Sequence, residues 1–153
     1  MKKLKLSRGE YAMVDDIFYD YLNQWKWYFN GRYAVRTPLK ARGAKPIRMH
    51  RVIAKAPDDM EVDHINGNKL DNRLVNLRLC THRENGKNSG ISVRNTSGYK
   101  GVTKASPNRW QARIRVDGEL ISLGLFETKE GAALAYNEGA LRYHGRFARL
   151  NPL

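Results

Sequence analysis

Four side chains within a 23-residue stretch have the types and spacing to hydrolyse a phosphodiester: Asp63, His64, Asn76 and Asn85. That reaction needs an activated water, charge relief on the phosphate and help for the departing 3′ oxygen. A hard divalent ion held by a few oxygens supplies the last two. Asp63 offers a carboxylate and Asn85 an amide oxygen. His64, next to Asp63 in an extended segment, points the other way. With an ordinary pKa of about 6.5, a histidine suits a base at neutral pH. Asn76 is placed to hydrogen-bond loop backbone across a hairpin and keep His64 in aim, where looseness of about 1 Å costs roughly a hundredfold in rate. Taken singly, each residue has a structural explanation: an Asp-His pair in a loop, a turn at Asn66-Gly67, a local cap at Asn76. Their joint spacing favours the chemistry.

The elements that must hold these residues read as strand, long loop, strand and helix over 62–88. Leu77 and Leu79 alternate with Arg78 and Cys80, as in a half-buried strand. Thr81-x-x-Glu84 is a capping box, which starts a helix at about Thr81 and places Asn85 in its first turn. Leu70 and Leu74 are expected to pin the loop to the core. Upstream, Asp15 or Asp16 is expected to cap a helix running to about Gln24. Asn30-Gly31, flanked by apolar residues, signals a hairpin with both turn residues at positive φ. Met49 to Ala54 reads as a short helix or a strand end. The loop from Thr37 to Pro46 holds Lys40, Arg42 and Lys45 with no acid, and is expected to run along a DNA backbone.

A small, polar run over 89–97 reads as a linker, with the boundary set at 91–97 between a first module over 1–90 and a second over 98–153. In the second, Val102 lies in one strand. Trp110, Ala112 and Ile114 alternate with Gln111, Arg113 and Arg115 in the next, and Asp117-Gly118 turns the chain into a third. Thr128 caps a helix that ends at Gly145, its inner face being Ala132, Ala135, Tyr136, Gly139, Ala140 and Tyr143. The class expected is α+β.

Composition sets the partner. Of 153 residues, 41% are hydrophobic, including eight Tyr, three Trp and four Phe, enough for folded cores. The net charge is +13. Residues 1–57 carry 13 Lys/Arg against four Asp/Glu, residues 58–90 five against six, and residues 91–153 ten against five. Two basic flanks bracket a near-neutral centre, as suits a polyanionic substrate. No apolar run approaches the roughly 20 residues of a membrane span, and the N-terminus lacks a long apolar stretch, so neither membrane nor export is expected. The single cysteine, Cys80, excludes an intrachain disulfide and a Cys-rich zinc site. A cytoplasmic location is expected.

The block Met49-His50-Arg51, Val62-Asp63-His64-Ile65-Asn66-Gly67-Asn68-Lys69-Leu70-Asp71-Asn72-Arg73, Asn76-Leu77-Arg78 and Glu84-Asn85 resembles the HNH endonucleases of phages and group I introns. The resemblance extends over residues 4–90, since Asp15-Asp16 and Trp25-Lys26-Trp27 also look like phage members. It implies a ββα-metal module, with His64 as general base, Asp63 and Asn85 as ligands of a divalent ion (magnesium, with manganese able to substitute, and no zinc), and Asn76 as the central structural asparagine. His82 is a rival ligand. Arg78 is counted with the DNA contacts.

Residues 97–151 resemble a second family, the plant ethylene-response-factor (Apetala) DNA-binding domain. The match runs through Ser97-Gly98-Tyr99-Lys100-Gly101-Val102, Trp110 to Arg115, Leu123-Gly124-Leu125-Phe126, Ala132 to Asn137, His144-Gly145 and Ala148-Arg149-Leu150-Asn151. It implies a three-stranded antiparallel sheet packed on one helix and laid in the major groove. The expected contacts are Lys100, Lys104, Arg109, Arg113 and Arg115. Thr103, Ala105 and Ser122 stand where plant members have Arg, Arg and Trp, which gives phosphate positioning equal weight with base readout. The combined expectation is a phage homing endonuclease, monomeric on double-stranded DNA and nicking one strand, in the cytoplasm of the host bacterium if the chain is phage-encoded. The competing expectation is a non-catalytic DNA-binding regulator.

Overall fold

The structure, a computed structural model, describes residues 1–38 and 43–153. Lys40 and Arg42 lie outside the described residues, and Lys45 is exposed. The chain has two compact units, Met1–Asn85 and Gly86–Leu153. Strands and helices mix in both, giving an α+β protein. Among the described residues, no helix is long and apolar enough to cross a membrane.

In the first unit, β1 (Lys2–Lys5) pairs antiparallel with β2 (Tyr11–Val14), Leu4 opposite Ala12. Alternation buries Leu4, Ala12 and Val14 and leaves the lysines in solvent. Helix α1 (Asp16–Leu22) follows. Asp15 stands at its N-cap, but its side chain does not cap the helix. Asp15 Oδ2 instead accepts from the backbone nitrogen of Leu74 at 2.8 Å. The local capping expectation thus yields to a contact across 59 residues.

Strands β3 (Tyr28–Phe29), β4 (Ala34–Arg36) and β5 (Ile47–Arg48) form an antiparallel sheet in that order. Phe29 pairs with Ala34, so the connection is four residues long rather than the two of a tight Asn-Gly turn. Gly31 has positive φ and Asn30 does not. Asn30 serves through its side chain, Oδ1 accepting from Arg32 N at 3.0 Å and Tyr33 N at 2.8 Å.

Helix α2 (Met49–Ile53) buries Met49, His50 and Ile53. The hairpin β6 (Glu61–His64) and β7 (Leu77–Cys80) places Asp63 opposite Arg78 and His64 opposite Leu77. Helix α3 (His82–Lys87) follows. Val62 and Leu77 join the core built by Leu4, Val14, Leu22, Trp27 and Met49. The expected alternation in β7 is corrected: Cys80 is fully buried, and Leu79 is 37% exposed. Asp63 and Cys80 are buried on the face opposite Leu77 and Leu79, with Arg78 largely buried beside them, so alternation in β7 does not separate core from solvent. Leu70 packs on the core as expected, whereas Leu74 is exposed and is held by its backbone.

In the second unit, β8 (Val102–Ser106), β9 (Arg109–Val116) and β10 (Glu119–Phe126) form an antiparallel sheet with β9 central. Helix α4 (Lys129–His144) starts at Thr128, whose Oγ1 accepts from Gly131 N at 3.0 Å. Val102, Ala112, Ala132 and Ala133 form one buried cluster, and Ile114, Tyr136 and Ala140 another. Small residues permit this approach: a Cβ on Gly139 would sit 2.7 Å from Leu123 Cδ1, and one on Gly101 would strike the Tyr136 ring. Ser97 is buried in this unit, its hydroxyl donating to Val102 O at 2.9 Å.

Candidate active site

The capping box forms: Thr81 N donates to Glu84 Oε2 at 2.8 Å, and Glu84 N to Thr81 Oγ1 at 3.2 Å. Asn85 N then donates to Thr81 O at 3.0 Å, which fixes Asn85 in the first turn of α3. Its side-chain nitrogen donates to Glu61 Oε2. Glu61 Oε1 receives His82 Nδ1 at 2.8 Å. These two bonds hold the Glu61 carboxyl below the usual carboxylate range, Asn85 contributing most.

Asp63 is 1% exposed, and its Oδ2 accepts from Arg78 Nε at 2.9 Å and Nη2 at 2.6 Å. Arg78, expected at DNA, is itself only 12% exposed and turns onto Asp63. The structure therefore engages the two expected ion ligands differently, Asp63 with Arg78 and Asn85 with Glu61.

His64 has no exposed surface. Its Nε2 lies 3.3 Å from Asn72 Oδ1, and its ring meets His50 edge-on at 4.9 Å. Burial pulls its pKa down to about 4, so the imidazole is neutral at pH 7. His50 is pushed down further, to about 3, first by burial and then by His64.

Asn76 holds the loop after β6. Its Oδ1 accepts from Asn66 N at 2.9 Å and its Nδ2 donates to Asp71 O at 2.8 Å. Ile65 N donates to Asn76 O at 2.9 Å. Arg73 adds a two-pronged bond to Asp71, at 2.7 Å to each oxygen. The loop is also tied to the N-terminal hairpin, with Met13 N on Leu70 O and Asn72 N on Met13 O, both at 2.8 Å.

A cleft of about 280 Å³ opens beside Asn85, lined also by Glu61, His82, Arg32, Arg48 and Arg51. Arg51 is structural, donating to Met60 O and Pro57 O at 2.7 Å each. Arg32 and Arg48 both lie over Tyr33, at 5.1 and 5.2 Å from its centroid. Sequence reasoning passed over Glu61, Arg32 and Arg48. The available signal for Glu61 was its position two residues before Asp63, on the same side of the strand.

Among the described residues, no three His, Cys, Asp or Glu side chains gather to hold a metal. The oxygen donors nonetheless suit a magnesium-class ion. Glu61 as a carboxylate only accepts, so the Asn85 nitrogen must face it and the amide oxygen is left for a cation. Cys80 offers no soft ligand, since burial pushes its thiol up to about 11.

In the second unit, Arg113, Arg115 and Gln111 share the sheet face opposite α4. Arg115, Lys104 and Arg109 are exposed, and Arg113 is half-buried, its Nη2 donating to Thr103 Oγ1 at 3.2 Å. Lys100 is placed differently: its Nζ donates to the carbonyls of Lys87 and Ser89 at 2.7 Å each. Burial lowers its pKa to about 8.

The family model described as HNH endonuclease matches residues 48–87. An uncharacterised HNH endonuclease of Acanthamoeba polyphaga mimivirus is 33% identical over 154 residues, spanning 96% of this chain and 78% of that one. Protein 3.8 of Escherichia phage T7 is 33% identical over 94 residues, covering 61% of this chain and 77% of its own. Over the C-terminal part, an AP2-like ethylene-responsive transcription factor of Arabidopsis thaliana is 47% identical over 68 residues, 42% of this chain but 19% of that protein. No solved structure gives a significant match. With the motif on its strand–loop–strand–helix segment and a viral relative aligned along nearly all of its length, the chain belongs to the HNH endonuclease family.

Proposed function

We propose that this nuclease is a divalent-metal-dependent DNA endonuclease of the homing type, nicking one strand at a preferred site. One observation carries the reading: Asp63, His64, Asn76 and Asn85 all fall on a single braced hairpin and the capped helix that follows it. His64 takes the proton from the attacking water; its depressed pKa leaves the imidazole neutral and able to accept. Asn76 holds the loop that follows His64. Asp63 and Asn85 hold the ion, magnesium with manganese as a substitute. The bound ion supplies charge relief on the phosphate and assistance to the departing oxygen. Arg78 exchanges the Asp63 carboxylate for a DNA phosphate when substrate arrives, which reconciles its place in the structure with a DNA contact. Arg32 and Arg48 in the cleft add positive charge for the backbone.

The second unit holds double-stranded DNA through Arg113, Arg115, Lys104 and Arg109, in the manner of the plant domain it resembles. One active site per chain cuts one strand, so a monomer nicks. A non-catalytic DNA-binding regulator is the second reading, favoured by the burial of Asp63 and His64. Supercoiled plasmid incubated with and without magnesium separates the two. Relaxed circles that appear only with magnesium support the nuclease; a mobility shift without relaxation supports the regulator.

A further inference from the structure

On the reading that Asn85 offers an oxygen to a divalent ion, its amide must be prevented from turning, because the nitrogen cannot ligate. Glu61 supplies that constraint. It stands on β6 two residues before Asp63, so both carboxylates leave the strand on one side. Its Oε2 takes the Asn85 nitrogen and its Oε1 takes His82 Nδ1 at 2.8 Å. The two donors lie three residues apart on α3, on one helical face. One carboxylate thus ties the strand that carries Asp63 to the helix that carries Asn85. Each of its oxygens accepts one of these donors, so the Glu61 carboxylate is committed to holding α3.

We propose that Glu61 is a positioning residue that locks the Asn85 amide with its oxygen toward the ion and holds α3 in register against β6. It rests on the metal-dependent reading above and adds a residue to it.

The test measures manganese binding to the full chain without DNA, by calorimetry and by electron paramagnetic resonance. Glu61→Ala is expected to weaken manganese binding about 10- to 100-fold, as loss of a residue orienting a ligand does. Glu61→Gln keeps an acceptor for the Asn85 nitrogen and is expected to stay within about threefold of wild type on the same argument. Retained binding in Glu61→Gln beside its loss in Glu61→Ala is the rescue expected of an acceptor that orients the Asn85 amide. Unchanged binding in Glu61→Ala overturns the proposal. So does a Glu61→Gln loss as large as that of Glu61→Ala, which makes Glu61 a direct ligand. A wild-type chain that binds no manganese overturns the metal reading itself, an outcome distinct from a wild type that binds and a Glu61→Ala variant that binds equally well.

Discussion

Arg78 and Asp63 face each other across β6 and β7, with two guanidinium nitrogens on a single carboxylate oxygen at 2.9 and 2.6 Å. Removing one partner of a buried pair leaves an uncompensated charge, at a cost of about 3–5 kcal/mol. Arg78→Ala is therefore expected to lower stability by about 3 kcal/mol. Magnesium should recover more of that loss in the variant than it adds to the wild type, because a cation at Asp63 replaces the missing guanidinium. Thermal melts with and without magnesium measure both effects. Equal magnesium shifts in the two proteins would show that Arg78 and the ion do not compete for Asp63.

His64→Ala should abolish nicking while leaving DNA affinity within a few-fold, since the proposed base is separate from the ion ligands and from the cationic surface. Plasmid relaxation and a binding titration on the same preparation test it. Residual nicking above about a tenth of wild type rejects His64 as the base; general-base removal costs about 10²–10⁴-fold.

The His50–His64 contact predicts an acid-sensitive fold. Both imidazoles have folded pKa values below their ordinary 6.5, at about 3 and about 4. The unfolded chain binds more protons than the folded one between those values and 6.5, so stability is fully present above pH 6.5 and falls as pH drops. Each histidine contributes a slope of up to about 1.4 kcal/mol per pH unit in that window. Denaturant titrations of metal-free protein from pH 7.5 to 4.5 should show the decline, and His50→Phe should flatten it. A flat profile in the wild type would mean that these rings are not held neutral.

Arg113→Ala and Arg115→Ala test the sheet face of the second unit. If each contacts a phosphate, its loss should reduce the log–log salt slope of binding by about one and weaken all sequences alike. If Arg115 reads a guanine edge, discrimination of about 1–3 kcal/mol should vanish at one base position. Titrations at several salt concentrations, on preferred and scrambled duplexes, distinguish these. No change in either variant would remove this face from the DNA interface.

The parts of the site that local rules govern were legible in the sequence. The Thr81–Glu84 box marks the start of α3, and from it the position of Asn85 follows. The bracing by Asn76 is likewise a short-range matter, confined to the loop it closes. The spacing to Asp63 puts Glu61 on the same side of β6, but its bond to Asn85 follows only from α3 lying against that strand. Arg78, counted with the DNA contacts in the sequence, bonds Asp63 through a cross-strand register set by a 12-residue connection. Asp15 shows the same limit. It is a good cap by type, yet a distant backbone nitrogen claims its carboxylate. Lys100, expected at DNA from the resemblance to the plant domain, closes on two carbonyls of its own chain.

The loop between β6 and β7 rests on the opening residues of the chain: Met13 bonds both Leu70 and Asn72, and Asp15 secures Leu74. The 40 residues that carry the family motif therefore lean on residues outside them. A recombination that moved residues 48–87 into another gene would deliver all four candidate side chains and leave behind the floor beneath their loop. The first unit contains both the hairpin and the residues beneath its loop. Lesions at Ala12 or Val14, which flank Met13 and share the core beneath the hairpin, would present in a genetic screen as loss of catalysis.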